Sequence, residues 1–288
     1  MDTWNAETIC TLLREAGRIA VERRADLNVS TKPNDTIVTD ADIEIERVLA
    51  AHLEDEVRGV YVLGEETVYG RTASYFSRAL TETAWVLDPI DGTVPFTAGL
   101  PTWGISIGLM KHGTLVDGAI YLPDSGIVYV TSGRGVLTGI MAPADDAVRL
   151  TPAVKPTPHR PGIVTVSQTI AKSGVYDGPA SVHSIGSCVF SIVGLLAGWY
   201  LGYTAKVRLW DIAGGIPLLD KLGFSMKFAT GVDLGCAVTS GAYVLTHGSP
   251  DSLKIPEHVF LAPDDESCAA LIAACHESKP GTFDASDE

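Results

Sequence analysis

The feature that most constrains this fold is an apolar run that ends abruptly in two aspartates. Trp85-Val86-Leu87 is typical of a buried strand, and Asp88-Pro89-Ile90-Asp91-Gly92-Thr93 follows it directly. The proline holds the residue before it in an extended conformation, and the glycine permits a sharp turn. The strand is therefore predicted to end in a turn that carries both carboxylates.

Two carboxylates three residues apart repel each other unless a cation lies between them. Asp-Pro and Asp-Gly pairs are also common in ordinary turns, so the segment alone fits either a metal site or a plain loop. Two other acids favour the metal site, because Gly64-Glu65-Glu66 closes one apolar run and Trp210-Asp211 closes another. Carboxylates gathered at turns form an oxygen-rich site, which suits Mg²⁺ better than zinc.

Charge and cysteine content narrow the functional classes. The formal net charge of -14 argues against a nucleic-acid partner, which would require clustered Lys and Arg. The acidity fits either solubility alone or carboxylates clustered around a hard cation. The five cysteines contain no Cys-x-x-Cys pair, so reduced thiols are expected rather than zinc ribbons or a disulfide framework. No apolar signal segment follows the N-terminus, and a cytoplasmic location is expected.

One stretch, from Ser184 to Ala205, carries no charged residue and is about as long as a transmembrane helix. It contains four glycines and three serines, which favour a buried helix at 188–201 that leads into a strand. No association with a membrane is expected.

Hydrophobic periodicity predicts the other elements. Helices are expected at 7–24, at about 41–57 with Asp40 as N-cap, at 212–222 and at about 265–276. Strands are expected at 36–39, 60–63, 85–87, 103–110, 114–121, 126–131 and 163–166. The chain is therefore predicted to be a layered mixture of α and β structure.

Five prolines among polar residues mark 142–161 as a boundary between two subdomains. We expect an N-terminal subdomain at 1–145 that carries most of the metal ligands. A C-terminal subdomain at 146–288 is expected to complete the site and the substrate pocket. The small, acidic segment 281–288 is predicted to be a frayed tail.

Together these motifs resemble the inositol monophosphatase family of metal-dependent phosphatases. The matching segments are Gly64–Glu66, Trp85–Thr93, Leu209–Gly215 and, after Lys32, Val38–Asp42. The resemblance covers nearly the whole chain. It implies an α+β or α/β fold, a layered αβαβα sandwich of the inositol monophosphatase/fructose-1,6-bisphosphatase type. It also implies a homodimer that hydrolyses a small phosphorylated metabolite.

The resemblance further implies a metal site and a mechanism. Two or three Mg²⁺ ions would be held by Glu65, Asp88, the carbonyl of Ile90, Asp91 and Asp211. Asp42 would pair with Thr93, whose hydroxyl orients the attacking water and helps to deprotonate it. Asp42 is also placed where an acid in the first turn of a helix would be.

The same resemblance implies the contacts to the substrate. Backbone amides at Gly92 and Thr93 would hold phosphate oxygens. Gly186, Ser187, Cys188 and Asp211 would face the rest of the substrate. Lys32, Lys206 and Arg208 are candidates for steering an anionic substrate, although purely structural or exposed positions fit them equally well.

Two departures from the family pattern bear on the substrate. Members that act on inositol phosphate carry a Glu where this chain has Thr204, and an Asn-Phe pair where it has Pro95-Phe96. Both argue against inositol 1-phosphate and leave histidinol phosphate, fructose 1,6-bisphosphate and 3′-phosphoadenosine 5′-phosphate as alternatives. A non-catalytic regulatory or binding member of the family is the alternative of another class. The complete set of acids argues against it.

Overall fold

The computed structural model describes residues 3–31, 37–144, 147–157 and 162–277. The predictions that concern Lys32, residue 36 of the first strand, part of the proline-rich boundary and the tail lie outside these residues. In the described ranges the helices are α1 (Ala6–Arg23), α2 (Asp40–Leu53), α3 (Ala73–Thr81), α4 (Thr93–Thr97), α5 (Gln168–Ser173), α6 (Cys188–Leu196), α7 (Leu209–Ala213), α8 (Ile216–Lys221) and α9 (Asp265–Ala274).

The strands of the same ranges are β1 (Val29–Thr31), β2 (Ile37–Thr39), β3 (Val60–Gly64), β4 (Thr83–Asp91), β5 (Gly104–Lys111), β6 (Thr114–Leu122), β7 (Ile127–Ser132), β8 (Gly135–Ile140), β9 (Thr151–Pro152), β10 (Ile163–Thr165), β11 (Gly174–Tyr176), β12 (Ser181–His183), β13 (Tyr200–Ala205), β14 (Ser225–Phe228), β15 (Val259–Ala262) and β16 (Cys275–Glu277). The larger sheet has the order β3-β4-β5-β6-β7-β8-β9, and the smaller has the order β12-β10-β13-β15-β14. Two further pairs, β1 with β2 and β11 with β16, are antiparallel.

Five layers result from these elements. Helices α1 and α2 pack on one face of the larger sheet, and α7 and α8 pack against β4, β5 and β6 of the same sheet. Helix α6 contacts both β5 and β13, and α9 packs on β15. Alternation along β15 shows the layering, because Val259 and Leu261 belong to the central core while Phe260 and Ala262 belong to the core under α9. The predicted αβαβα sandwich is confirmed.

The start of α2 differs from the prediction by one residue. Thr39, not Asp40, is the N-cap, because its hydroxyl accepts the N–H of Asp42 while the carboxylate of Asp42 accepts the N–H of Thr39. Such reciprocal bonds satisfy two backbone donors at the start of a helix.

Helix α2 ends at Leu53 rather than at about residue 57, and two further predicted helices differ from the structure. Helix α6 ends at Leu196 rather than at residue 201, because Gly198 takes a positive φ of 76° and the chain turns into β13. The predicted helix at 212–222 is divided into α7 and α8. A Cβ on Gly214 would lie 2.5 Å from the carbonyl oxygen of Ala119, so the backbone there is pressed onto the sheet. Helix α8 then begins at Ile216, with Pro217 in its first turn.

Some elements were not predicted from the sequence, among them α3 and β8, which forms a hairpin with β7. Strand β9 lies beyond residue 145 and still pairs with β8 of the larger sheet. The central core contains residues of both halves, such as Tyr61 and Val189. The division at residues 145 and 146 stays a prediction.

The uncharged stretch folds in part as buried α6 and β13. Among the described helices, none combines the length and the apolar character needed to cross a membrane.

Candidate metal centre and adjoining cavity

Three carboxylates from distant parts of the chain converge at one end of the larger sheet. One carboxylate oxygen each from Glu65, Asp88 and Asp211 lies within 4.8 Å of the others. Strands β3 and β4 are parallel, with Gly64 opposite Leu87, so the residues that follow these two positions lie at the same end of the sheet. Asp211 reaches the same place from α7, which packs on β4 and β5.

Asp88 shows most clearly what this group of acids requires. It is 1% exposed, and within the described residues neither of its carboxylate oxygens has a hydrogen-bond partner. Burial raises the pKa of Asp88 well above its usual value, and the charges of Glu65, Asp91 and Asp211 raise it further. Burial and the nearby charges of Asp91 and Glu65 raise the pKa of Asp211 in the same way. Because a buried carboxylate without donors is costly and all these ligand atoms are oxygens, the residues fit a hard cation such as Mg²⁺.

Asp91 is anchored to the second half of the chain. Its Oδ2 accepts the hydroxyl of Ser187 and the N–H of Val189, the latter at 2.7 Å. Ser187 also caps α6 by accepting the N–H of Phe190 at 3.0 Å. Burial outweighs these hydrogen bonds and raises the pKa of Asp91 to about 6. Asp91 therefore lies beside the three converging carboxylates and links them to the start of α6.

A cavity of about 300 Å³ gathers the predicted metal and phosphate ligands. Its lining includes Glu65, Asp88, Ile90, Asp91, Gly92, Thr93, Gly186 and Asp211. Gly92 has a positive φ of 88°, and a Cβ there would lie 2.9 Å from the Cβ of Ser187. Only glycine therefore fits the turn between β4 and α4.

The predicted pairing of Thr93 with Asp42 stays a prediction. The hydroxyl of Thr93 donates to the carbonyl of Ile90 at 3.2 Å. Oδ2 of Asp42 accepts the hydroxyl of Thr39 at 2.6 Å and its N–H at 2.8 Å. Asp42 thus takes the helix-capping position that was the alternative to the pairing. Its charge also contributes to the raised pKa of Asp88.

Glu46 is a residue of the site that the sequence reasoning missed. It lies one helical turn after Asp42 on α2 and is fully buried. Its two carboxylate oxygens accept the N–H groups of Glu66 at 2.8 Å and Thr67 at 2.9 Å. A Cβ on Gly64 would lie 2.2 Å from its carboxyl carbon. Glu46 therefore fixes the loop that carries Glu65, and its position four residues after Asp42 was the available signal.

The segment that carries Asp211 is held by hydrogen bonds between side chains and main-chain groups. The hydroxyl of Ser106 donates to the carbonyl of Trp210 at 3.3 Å and accepts the N–H of Gly214 at 3.1 Å. The N–H of Arg208 donates to Oδ2 of Asp211 at 2.7 Å. The guanidinium of Arg208 donates to the carbonyls of Ser252 and Pro250, each at 2.7 Å. These contacts give Arg208 a structural position.

A second cavity of about 210 Å³ adjoins the first and shares Asp91, Gly186 and Asp211 with it. It contains the other predicted substrate contacts, Ser187 and Cys188. Its remaining lining residues are Val166, Ser167, Gln168, Thr169, Ser191, Tyr203, Lys206 and Val207. The structure thus places all the predicted substrate contacts along two connected cavities.

Comparison with known proteins identifies the family of the chain. The sequence model of the inositol monophosphatase family matches residues 5–279. An inositol-1-monophosphatase of Bacillus subtilis is 30% identical over 226 residues, which cover 73% of this chain and 80% of that protein. A histidinol-phosphatase of Mycobacterium tuberculosis is 32% identical over 144 residues, which cover 50% of this chain and 48% of that protein.

The fold is similar to solved structures as well. One of them, an IMPase/NADP phosphatase complexed with Mg²⁺ and phosphate, superposes with a TM-score of 0.67 at 16% identity and covers 92% of this chain and 93% of that one. Because the family match spans nearly the whole sequence, the chain belongs to the inositol monophosphatase family of metal-dependent phosphatases.

Proposed function

We propose that this chain hydrolyses a small-molecule phosphate monoester with Mg²⁺, two or three ions being held by Glu65, Asp88, the carbonyl of Ile90, Asp91 and Asp211. The observation that carries the proposal is Asp88, which is buried, has no donor on either oxygen within the described residues, and faces two other acids. Such a cluster is stabilised by cations. The solved relative with Mg²⁺ and phosphate supports the choice of metal.

The reaction is a displacement at phosphorus. The oxygen of a water attacks phosphorus, the ester P–O bond breaks, and the leaving alkoxide takes up a proton to become the alcohol. Bound Mg²⁺ supplies a water of lowered pKa and charge that stabilises the phosphoryl oxygens. The residues of this chain position the reactants, which is a large part of the barrier reduction in such a transfer.

The positions of these residues support the proposed roles. Thr93 lines the cavity beside Asp88 and would orient the attacking water, with Asp42 behind it. The N–H groups of Gly92 and Thr93 lie where a helix begins, and such groups lack partners within the helix, so they would hold phosphate oxygens. Asp91 and Asp211 line both cavities, so the ester oxygen would lie near them and the alcohol would extend into the second cavity.

The substrate itself is an open choice among monoesters. The two named relatives act on an inositol phosphate and on histidinol phosphate, and fructose 1,6-bisphosphate and 3′-phosphoadenosine 5′-phosphate are further alternatives. Thr204, which replaces the acid expected for inositol phosphate, is fully buried, and its hydroxyl accepts the N–H of Ser167 at 3.0 Å. This bond argues against inositol 1-phosphate.

The test is phosphate release from these esters with and without Mg²⁺. Mg²⁺-dependent turnover of at least one ester supports the proposal, and no turnover of any would favour the non-catalytic alternative. The variant Asp91→Asn keeps an oxygen that can accept from the start of α6, so it is expected to stay folded and to lose activity. Unchanged turnover in this variant would show that the site is misassigned.

A homodimer and a cytoplasmic location also belong to the proposal. Light scattering on the purified chain tests the first, with a mass of about twice 30.5 kDa expected for a dimer.

A further inference from the structure

The cavity that adjoins the metal centre has an uneven distribution of charge. Apart from Asp91 and Asp211, which it shares with the metal centre, Lys206 is the one charged side chain among its described lining residues. The other polar groups are neutral, such as Ser167, Gln168 and Thr169. A ligand that extends away from the acids therefore enters a cavity lined by neutral polar residues and one lysine.

Ser167 forms a fixed part of this wall. Its N–H donates to the hydroxyl of Thr204 at 3.0 Å, and its own hydroxyl accepts the N–H of Ile170 at 3.2 Å. The same hydroxyl lies 2.9 Å from Nε2 of His258, which is 5% exposed. Three contacts thus hold this residue in the cavity wall, so the shape of the wall is set before a ligand arrives.

Lys206 directly follows β13, whose residue Tyr203 also lines the cavity. It is half-buried and also lines a neighbouring cavity of about 320 Å³, together with Glu257 and His258. Lys206 therefore lies on the boundary between the leaving-group cavity and this neighbouring cavity. Hydrogen bonds to a charged group in such a partly desolvated place are stronger than neutral ones.

From this arrangement we infer that the preferred substrate carries an anionic oxygen on its leaving group, and that Lys206 is the specificity-determining residue that contacts it. The inference rests on the proposed phosphatase function. With the phosphoryl group among the acids, the alcohol extends past Asp91 and Asp211 into the cavity that Lys206 lines. A carboxylate or a second phosphate at its far end would be attracted, and an ammonium group would be repelled.

A matched series of three-carbon esters tests this directly. In 3-phosphoglycerate, glycerol 3-phosphate and 3-amino-2-hydroxypropyl phosphate, the group distal to the ester is an anion, a neutral hydroxyl and a cation. We expect kcat/KM to fall in that order, by roughly tenfold between the first two, as for one charge-assisted contact. Comparing fructose 1,6-bisphosphate with fructose 1-phosphate repeats the test with a phosphate as the distal anion. The two comparisons together distinguish a preference for a carboxylate from a preference for a second phosphate.

Variants of the lysine assign the effect to one residue. Lys206→Gln is expected to lower the anionic-to-neutral ratio of kcat/KM by about tenfold, Lys206→Arg to retain it, and Lys206→Glu to shift the preference toward the cationic ester. Lys172→Gln, an exposed position on α5, is the matched control and should keep the wild-type ratio. Circular dichroism of each variant checks folding, and the wild-type series tests the inference even if a variant does not fold.

The outcomes separate the inference from the proposed function. Mg²⁺-dependent turnover with no preference for anionic leaving groups, or with a ratio that Lys206→Gln leaves unchanged, would overturn the inference alone. No Mg²⁺-dependent turnover of these esters or of any ester of the panel used to test the proposed function would overturn that function, and the inference with it.

Discussion

Asp88 and Ser106 lie opposite each other on the antiparallel strands β4 and β5. The hydroxyl of Ser106 donates to the carbonyl of Trp210, the residue before Asp211. One fully buried side chain of β5, the strand paired with Asp88, therefore contacts the helix that carries Asp211, and both acids are proposed metal ligands. This packing helps to hold the carboxylates of Asp88 and Asp211 within 4.8 Å of each other.

Replacing Ser106 by Ala is expected to loosen the site. The change leaves the N–H of Gly214 and the carbonyl of Trp210 without this partner in a buried place, which costs about 1–3 kcal/mol of unfolding free energy. Urea unfolding measures the loss, and the Mg²⁺ concentration for half-maximal activity should rise. Ser173→Ala, at an exposed position on α5, serves as control. Wild-type stability and Mg²⁺ dependence in Ser106→Ala would contradict the role of this contact.

Gly118→Ala tests the close approach of α7 to the larger sheet. A Cβ at this position would lie 2.2 Å from the carbonyl oxygen of Gly214, so the helix must move away from β6. We expect a loss of about 1–3 kcal/mol in stability, as for overpacking, together with lower turnover. Gly235→Ala is the control, because an added Cβ there meets no atom within 4 Å. Equal stability of the two variants would refute the packing argument.

Glu46→Gln tests the residue that holds the loop of Glu65. Glutamine offers one carboxamide oxygen where two backbone N–H groups need acceptors, and its NH₂ faces one of them. Mg²⁺ affinity is expected to fall about tenfold, as when residues that support metal ligands are changed. Isothermal titration with Mg²⁺ measures this. The control is Glu44→Gln, on the same helix as Glu46, which loses only an ion pair with Arg23 and should bind Mg²⁺ like the wild type. Wild-type affinity in Glu46→Gln would show that the loop does not depend on Glu46.

The metal-free protein should lose stability as the pH rises. Burial raises the folded-state pKa values of Asp88, Asp91 and Asp211, that of Asp91 to about 6. An acid whose pKa is raised by folding binds its proton more tightly in the folded state, and this tighter binding stabilises the fold at low pH. The stabilisation is lost as the pH rises from about 4 through the folded-state pKa values. Added Mg²⁺ should restore stability at pH 7.5.

The comparison of wild type with Asp88→Asn isolates this effect from that of other groups. Without metal, the unfolding temperature of the wild type should fall more steeply between pH 4 and pH 7 than that of the variant. Parallel curves would show that the carboxylates of this cluster do not control the dependence.

The residues that the sequence predicted best are those whose local pattern already encodes their position. Asp88 and Asp91 follow the apolar run, but β4 continues through both of them to Asp91, so the prediction that the strand ends at residue 87 was wrong. The turn begins at Gly92, which takes a positive φ. Glu65 and Asp211 likewise follow short apolar runs, so the hydrophobic pattern alone puts all four acids at the ends of buried segments. The cavity that gathers them follows from the parallel pairing of β3 and β4.

Long-range contacts explain what the sequence did not predict. Ser106 and Gly214 are 108 positions apart, and no local pattern connects a strand serine to a distant helix N–H. The break between α7 and α8 depends on how closely Gly214 approaches Ala119 on the sheet. The one sequence signal for Glu46 was its spacing of four residues from Asp42, and its role depends on long-range bonds from the N–H groups of Glu66 and Thr67.

The most direct test of this account is to locate the metal. Crystals of the protein soaked in Mn²⁺ should show anomalous difference density between Glu65, Asp88 and Asp211, within about 2.5 Å of their carboxylate oxygens. The peak should be absent from crystals of Asp88→Asn treated in the same way. Density elsewhere on the chain, with none among these three acids, would contradict the proposed metal centre.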